Sequence, residues 1–465
     1  MRGDGPLLRM AGEIAAGAVI LTLAACGADA GEEPAPDHLP GPPSVVFIMT
    51  DDIGYGDIGS YGAPDIATPN LDRLAAEGTR FTDFYANAPV CTPTRVGFLT
   101  GRYQQRLGLE APLPNAAEAE DGGLSANGRG LTADGRTLPQ LLENAGYTTA
   151  LVGKWHVGYE ADQSPPAHGF DYFFGFKSGF VDYYRHTNGT GAEDLWENDE
   201  RVTADGYLTD LITERSVDFI HRNAARPFFL SVQYNAAHWP YQPPDLPSVA
   251  PNNGFHVQPH VEDTGTRADY VAMLERADRG IGEILDALDA AGLRERTLVI
   301  FTNDNGGEWL SRNAPLFNRK WTVWEGGIRV PAILRWPGVI PPGRVSGQVG
   351  ITMDLTATIL AVTEVEGPGD LDLEGIDLMP ILTRQAPEQQ RTLFWRSADG
   401  GSRAVRSGDW KLLVDGRNSF VFDVRADVAE REDLTNVSQE VAYRLRMLLD
   451  AWEADVNGDA LMAAP

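Results

Sequence analysis

The chain has 465 residues and an apolar fraction of 43%, so it can bury a large core and exceeds the usual size of one domain. Its 38 basic and 66 acidic side chains give a formal net charge of −28 at pH 7. A negative charge of this size argues against nucleic acid and against an anionic membrane surface as partners. An anionic substrate would need a locally basic pocket.

The N-terminus has the pattern of an export signal. Arg2 and Arg9 precede an apolar run over residues 14–25 that is too short for a stable bilayer span. The run closes on Leu-Ala-Ala-Cys26, which resembles a bacterial lipoprotein box with Cys26 as the lipidated residue. We therefore expect residues 1–26 to be a lipoprotein-type signal peptide, with an ordinary cleaved secretory signal as the alternative. Both interpretations predict an exported protein, periplasmic or at the cell surface, that contacts the membrane through a lipid anchor.

The next segment and the cysteine count agree with export. Residues 27–43 are rich in Ala, Glu, Pro and Gly, which predicts a disordered tether. The sequence has two cysteines, Cys26 and Cys91. Exported chains usually use cysteine for disulfides, but a lipidated Cys26 and a chemically modified Cys91 could form none. Both cysteines are therefore candidates for other chemistry.

Polar side chains follow several apolar runs that the sequence predicts as strands. The runs cover Ser44–Thr50 and residues 148–152, 227–233 and 297–302. Continuous apolar runs are typical of strands buried on both faces of a parallel sheet, and the helical pattern over residues 270–290 predicts a covering helix. The carboxyl ends of such strands are where open α/β sheets bind ligands. The polar residues that follow the runs are Asp51, Asp52, Lys154, His156, His238, Asp304 and Asn305.

The pattern changes after Ile381. Short strands separated by glycine turns and a last helix predict a small antiparallel sheet with a helix. We therefore predict an α/β catalytic domain over residues 44–385, with a large, mostly parallel sheet sandwiched by helices. An α+β subdomain over residues 386–465 would follow it.

Asp51, Asp52, Asp304 and Asn305 all offer oxygen atoms as ligands. One such residue alone is more often a loop cap. Pairs at the ends of two buried strands favour a site for a hard cation, Ca²⁺ or Mg²⁺.

Cys91 begins the segment Cys91-Thr-Pro-Thr-Arg95-Val-Gly-Phe-Leu-Thr-Gly-Arg102. Pro93 stiffens the turn, and the apolar residues after Arg95 predict a buried helix with Cys91 at its N-terminus, where anions are favoured. A lone cysteine beside a turn is more often structural. The surrounding pattern therefore decides between the two interpretations.

Cys-x-Pro-x-Arg followed by Leu-Thr-Gly-Arg resembles the signature of the type I sulfatases, in the alkaline phosphatase superfamily. Four further segments resemble the same family: Gly153-Lys-Trp-His156, His238-Trp-Pro240, and residues 319–331 and 403–412. The resemblance implies an alkaline-phosphatase-like fold. It also implies hydrolysis of sulfate monoesters, as an arylsulfatase or glycan sulfatase, with release of inorganic sulfate and an alcohol.

The resemblance also implies a modified nucleophile. A formylglycine-generating enzyme would convert Cys91 to formylglycine, an aldehyde whose hydrate attacks sulfur. His156 would take the proton from the second hydroxyl, which expels sulfate and regenerates the aldehyde. His238, with Lys320, would protonate the leaving oxygen. Arg95 would support the modified side chain.

The remaining implied roles concern sulfate and metal. Lys154, Lys320 and His238 would bind the sulfate, with Arg319 as a further candidate. The divalent cation would be Ca²⁺, with Mg²⁺ as the alternative. Its implied ligands are Asp51, Asp52, the modified Cys91, Asp304 and Asn305.

Two rival functions remain open on the sequence. One is a phosphonate or phosphate monoester hydrolase of the same superfamily, using the same formylglycine and metal. The other is a lipoprotein that binds sulfated glycans without catalysis, for which Cys91 would stay unmodified. Residues 110–131 and 170–201 are predicted to shape the leaving-group side, the second through Tyr183, Tyr184, Arg185 and His186.

Overall fold

The computed structural model describes residues 41–114, 130–245 and 265–463, excluding the side chains of 459–463. The predicted signal peptide, Cys26 and most of the predicted tether lie outside these residues, as does the middle of the predicted 110–131 loop. Within the described part of the chain, no helix combines the length and apolar character needed to cross a bilayer.

The main sheet of the described residues has ten strands. They are β1 (Ser44–Thr50), β2 (Thr79–Phe81), β4 (Thr148–Lys154), β5 (Tyr172–Phe176), β6 (Trp196–Glu197), β7 (Glu200–Arg201), β8 (Phe228–Gln233), β9 (Thr297–Asn303), β10 (Ala332–Arg335) and β11 (Arg344–Ser346). Their spatial order in the sheet is β11-β2-β10-β9-β1-β8-β4-β5-β6-β7. A separate parallel pair consists of β3 (Phe84–Tyr85) and β12 (Gly350–Ile351). The central strands β9, β1, β8, β4 and β5 run parallel, whereas β10 and β6 pair antiparallel to their neighbours.

Strand β1 lies at the centre because its sequence is apolar on both faces. Val46 and Ile48 belong to one core cluster, and Val45, Phe47 and Met49 belong to another. Successive side chains of a strand point to opposite faces, so a continuous apolar run can be buried only between two layers. The predicted large, mostly parallel sheet between helices is confirmed.

Helices cover both faces of this sheet. The helices of the described chain are α1 (Pro69–Glu77), α2 (Cys91–Thr100), α3 (Leu138–Asn144), α4 (Leu208–Asn223), α5 (Arg267–Ala290), α6 (Glu325–Ile328), α7 (Thr352–Thr363), α8 (Met379–Leu382) and α9 (Gln439–Ala463). Apolar residues of α4 and α5 pack with Val46 and Ile48. Apolar residues of α2 and α7 pack in the core of the opposite face.

The C-terminal part forms the predicted antiparallel sheet with a helix. Its strands, in spatial order, are β13 (Thr392–Arg396), β14 (Ser402–Ser407), β15 (Trp410–Asp415) and β16 (Asn418–Asp423). Its core holds Trp395, Leu413 and Leu449 together with Tyr85 and Ile351 from the earlier part of the chain. The proposed boundary after residue 385 stays a prediction, and the predicted last helix is α9, which ends at Ala463.

A buried ionic contact joins the two parts. Lys411 Nζ on β15 lies 2.9 Å from Glu325 Oε1 on α6 and 2.8 Å from Glu430 Oε1, and all three side chains are fully inaccessible. We call these residues the Lys411 cluster. Arg329 Nη1 lies 3.0 Å from the other oxygen of Glu325. Because α6 follows the segment that carries Lys320, the C-terminal sheet is tied to that segment by charge.

Candidate active site

The predicted site residues converge at one edge of the main sheet. Asp51 and Asp52 follow β1, Asp304 and Asn305 follow β9, and Lys154 ends β4. These strands are neighbours through β8, so their carboxyl ends meet. The backbone N–H of Asp304 donates to Thr50 at 3.3 Å, which links the first two strand ends directly.

Unusual backbone conformations aim the side chains at this edge. Asp52 has φ 59° and His156 has φ 53°, values that non-glycine residues rarely adopt and that concentrate at functional sites. Gly153, next to Lys154, has φ 117°, and a Cβ there would lie 1.9 Å from the carbonyl oxygen of Gln233. The close approach of β4 to β8 therefore requires glycine at this position.

Cys91 is the first residue of α2, as the sequence predicts. Its side chain is buried, and its Sγ lies 3.1 Å from Nδ1 of His156. Val90, the N-cap residue, supplies no side-chain hydrogen bond to the first turn. The N–H groups of that turn and the helix dipole therefore favour negative charge beside Cys91.

The hydrogen bonds of His156 define its tautomer. Its Nε2 lies 3.0 Å from the carbonyl oxygen of Leu113, which can only accept, so Nε2 carries the proton. The lone pair of Nδ1 then faces Cys91. Burial, followed by the charge of Lys154, lowers the pKa of His156 well below its ordinary value. His156 is thus a neutral base that points at residue 91.

Three buried cation–carboxylate pairs surround this centre. Their N–O distances are 2.6 Å for Lys154–Asp51, 2.7 Å for Lys320–Asp52 and 3.0 Å for Arg95–Asp304. Arg95 also donates to the side chain of Gln233 at 2.8 Å. The pairs bring three buried cations into the site, and each cation is compensated by one carboxylate.

The two adjacent aspartates differ in protonation behaviour. Burial, followed by the Asp304 carboxylate, raises the pKa of Asp51 well above its ordinary value, although Lys154 acts in the opposite direction. Burial acts to raise the pKa of Asp52 as well, but the charge and hydrogen bond of Lys320, together with His238 and Lys154, outweigh it and the pKa is lowered. The negative charge at Asp51 is therefore incompletely compensated by the protein.

The oxygen atoms of this cluster suit a divalent cation. Asp51, Asp52 and His238 each offer one ligand atom, and these atoms lie within 4.8 Å of one another. Asp51 Oδ1 and Asn305 Oδ1 are buried and have no hydrogen-bond partner among the described residues. Buried polar atoms without partners are costly, and a hard cation with oxygen ligands would satisfy both. The cluster therefore fits a divalent metal ion.

His238 lies on the other side of Asp52. Its Nδ1 lies 2.6 Å from its neighbour's carbonyl oxygen, so Nδ1 carries the proton and Nε2 is an acceptor. Nε2 is 3.3 Å from Lys320 Nζ and 3.4 Å from Asp52 Oδ2. Burial, followed by Lys320, lowers the pKa of His238 well below its ordinary value. Burial acts to lower the pKa of Lys320. The nearby acidic groups, with Asp52 and Glu308 first among them, outweigh the effect of burial and raise this pKa.

Two residues of the site were not predicted from the sequence. They are Gln233, which accepts a hydrogen bond from Arg95, and Glu308, whose Oε2 lies 3.8 Å from Lys320 Nζ. Gln233 ends β8, so the rule that identified the other strand-end residues could have found it. Glu308 lies in a loop after Gly307 and gave no comparable signal.

Two residues expected near the substrate have other contacts. Tyr183 is buried, and its hydroxyl lies 2.7 Å from the carbonyl oxygen of Asn235 and 2.9 Å from that of His238. It supports the His238 backbone, and its ring is not available to stack on a substrate. The guanidinium of Arg319, a candidate for sulfate binding, lies 3.3 Å from the ring centroid of Trp309 and so stacks on that ring.

The sequence of this chain matches family models and curated proteins that are sulfatases. The model Sulfatase matches residues 43–365, and the model for the C-terminal part of N-sulphoglucosamine sulphohydrolase matches residues 314–451. The N-acetylgalactosamine-6-sulfatase of Canis lupus familiaris is 36% identical over 384 residues, which is 78% of this chain and 69% of that protein. Arylsulfatase A of Bos taurus is 35% identical over 427 residues, which is 83% of this chain and 78% of that protein.

Solved structures give the same result. Ps i-CgsB superposes with a TM-score of 0.78 at 28% identity, covering 88% of this chain and 92% of that chain, and its structure in complex with k-i-k-neocarrahexaose matches equally well. The PsFucS1 sulfatase from Pseudoalteromonas sp. has a TM-score of 0.70 at 26% identity, covering 90% of this chain and 91% of that chain. The chain belongs to the sulfatase family, with the alkaline-phosphatase-like fold, and is a sulfuric ester hydrolase.

Proposed function

We propose that this sulfatase hydrolyses sulfate esters of sugars at a formylglycine derived from Cys91. The observation that carries the proposal is the Cys91 Sγ–His156 Nδ1 distance of 3.1 Å, at a helix N-terminus and beside buried Lys154. The names of the curated relatives and the saccharide bound to Ps i-CgsB support a glycan ester as the natural substrate. Aryl sulfates would be accepted as simpler esters of the same class.

In this proposal residue 91 carries the nucleophile. Conversion of the thiol to an aldehyde gives a hydrate with two hydroxyl groups, of which one attacks sulfur. His156 is suited to take the proton of the other, because its Nδ1 lone pair faces residue 91. Such a proton transfer typically contributes about 10²–10⁴-fold to the rate.

Charge neutralisation falls to the lysines and the divalent metal. Asp51, Asp52, Asp304 and Asn305, with the modified residue 91, would hold Ca²⁺, which as a Lewis acid would polarise a sulfate oxygen. Asp51 and Asp52, if engaged by the ion, would no longer hold Lys154 and Lys320, whose ammonium groups could then bind the other sulfate oxygens. Electrostatic stabilisation of this kind is usually the largest catalytic contribution.

The leaving oxygen needs a proton, and His238 and Lys320 can supply it together. The 3.3 Å contact between Lys320 Nζ and His238 Nε2 allows them to share one proton. In the neutral tautomer the nearest proton resides on Lys320. We assign this pair to the leaving-group side for that reason.

Maturation and location form part of the same proposal. The leader with Cys26 would direct export as a periplasmic or cell-surface lipoprotein, and a formylglycine-generating enzyme would modify Cys91. Intact mass of the secreted protein, before and after mild alkaline hydrolysis of its lipid, tests the anchor independently of catalysis.

The decisive experiment measures ester hydrolysis, as the sulfate or the alcohol released, by protein coexpressed with a formylglycine-generating enzyme. The substrates are N-acetylgalactosamine 6-sulfate, 4-nitrophenyl sulfate and a phenyl phosphonate monoester, with and without EDTA. Peptide mass spectrometry first establishes aldehyde at residue 91, and Cys91→Ala is the matched control. We expect EDTA-sensitive sulfate release. Hydrolysis of the phosphonate in preference to both sulfates would contradict the proposal and favour the phosphonate hydrolase.

A further inference from the structure

Trp321, the residue after Lys320, is exposed beside the reaction centre. Its relative exposure is 56%, although tryptophan is normally buried, and Lys320 Nζ lies 5.7 Å from the centroid of its ring. Its backbone has φ 76°, a left-handed conformation that is sterically unfavourable for so bulky a side chain. Strained residues of this kind tend to persist where function requires their position.

Hydrogen bonds hold Trp321 in this conformation. Its backbone N–H donates to the carbonyl oxygen of Pro89, two residues before Cys91, at 2.9 Å. Its indole N–H donates to Glu308 Oε1 at 3.0 Å. The polar atom of the ring is therefore satisfied, and its exposed surface is apolar. A rigid, exposed ring face beside the sulfate-binding lysine is suited to stack on a flat apolar surface of a substrate.

The groups around this ring favour a sugar over an aryl ring. Glu308 accepts one hydrogen bond from the indole, and a carboxylate can accept several. Arg319, the residue before Lys320, adds a guanidinium on the same segment, stacked on the half-exposed ring of Trp309. An aromatic face with a carboxylate at its edge and a guanidinium on the same segment matches a pyranose, which has an apolar C–H face and hydroxyl groups at its edge. A simple aryl sulfate offers no hydroxyl groups to these charges.

We propose that Trp321 is the specificity-determining platform on which the sugar ring of the leaving group stacks, with Glu308 and Arg319 at the edge of that ring. This inference rests on the proposed sulfatase function and deepens it. Trp321 takes no part in the chemistry. Its contribution is to the affinity and orientation of the saccharide, so it should affect KM more than kcat.

The test uses the strain of Trp321 to separate binding from folding. Trp321→Gly suits the left-handed backbone and is expected to fold with a Tm equal to or above that of the wild type. The same variant should raise KM for N-acetylgalactosamine 6-sulfate about tenfold, because it loses the stacking contact. The kcat for this ester should change by less than about threefold. Trp321→Phe, which keeps an aromatic ring, should recover most of the affinity.

Controls establish that the loss is specific. Tyr443→Ala removes another exposed aromatic ring, on α9, and should leave both kinetic constants unchanged. Inhibition by inorganic sulfate should be the same in Trp321→Gly and the wild type, because Lys320 stays in place. For 4-nitrophenyl sulfate, the loss in kcat/KM should be at least threefold smaller than for the sugar ester.

The possible results separate the inference from the function beneath it. An unchanged KM for the sugar ester in Trp321→Gly, or an equal loss on both esters, would overturn the saccharide platform while the wild type remains a sulfatase. A wild-type protein with proven formylglycine that hydrolyses neither sulfate ester would overturn the proposed function, and the inference with it.

Discussion

The Lys411 cluster leads to a prediction about both stability and activity. Lys411→Met removes the cation but keeps the length of the side chain, so Glu325 and Glu430 are left buried without their shared partner. Arg329 still contacts Glu325 at 3.0 Å, whereas Glu430 loses the ammonium group 2.8 Å away. Uncompensated charge at this interface should loosen α6 and the adjoining segment that carries Lys320.

The expected magnitude follows from the burial of all three side chains. Removing one partner of a buried ion pair typically costs about 3–5 kcal/mol, because the remaining charge cannot be solvated. With an unfolding entropy of about 2.1 cal/mol/K per residue, a two-state chain of this length would lose about 3–5 °C in Tm. The double variant Lys411→Met/Glu430→Gln should recover part of the loss, since it also removes one carboxylate.

Differential scanning calorimetry at pH 8, above the pKa of about 7 that Glu430 has in the folded protein, measures the change in Tm. The kcat on 4-nitrophenyl sulfate measures its effect at the site. Arg222→Met is the matched control, because Arg222 pairs with Asp218 on the surface with 73% of its side chain exposed. An exposed pair is worth about 0–1 kcal/mol, so this control should hardly change Tm. A Tm for Lys411→Met within about 1 °C of the wild-type Tm would refute the reasoning.

Three further outcomes are expected. Cys91→Ala should abolish sulfate release while Tm stays within about 2 °C, because one small buried side chain is truncated; full activity in this variant, measured by ion chromatography of sulfate, would exclude the Cys91 mechanism. EDTA should remove activity and lower Tm, and Ca²⁺ at about 100 times its Kd should restore about 2.7 kcal/mol; a Tm unaffected by EDTA would argue against a bound ion at Asp51 and Asp52. Burial raises the pKa of Glu430 from 4.5 to about 7, so the folded state binds more protons than the unfolded state between these two pH values. The free energy of unfolding that Glu430 contributes should therefore fall by about 1–3 kcal/mol as the pH rises from 4.5 to about 7. Urea titrations at pH 5 and pH 8 check this, and Glu430→Gln should lack that component.

Much of the fold could be predicted because its signals are local. The apolar run of β1 requires burial on both faces, and the polar residues after β1, β4 and β9 lie together because parallel strands end at one edge. The same reasoning brought Asp51 and Asp304 into one cluster across more than two hundred residues of sequence. Helix α2 begins at Cys91 because Pro93 and the apolar residues after it define a helical start.

Other features depend on contacts that no local pattern encodes. Glu308 and Lys411 are charged residues with ordinary neighbours, and sequence alone would place such residues on the surface. Their partners, Lys320 and Glu325, are distant along the chain, so burial becomes visible only after folding. The exposure of Trp321 also depends on such contacts, because its backbone and indole N–H groups bind Pro89 and Glu308, which are distant from it in the sequence.

The burial of Cys91 has a consequence for how active enzyme is made. Only 3% of Cys91 is exposed, and its thiol is covered by the ring of His156. An enzyme that oxidises this thiol needs access to it, and in the folded chain the side chain is buried at the start of a packed helix. If Cys91 is modified as proposed, modification and folding would compete for the same newly made chain. A molecule that folds first would keep its thiol, and the specific activity of a preparation would record the ratio of these two rates.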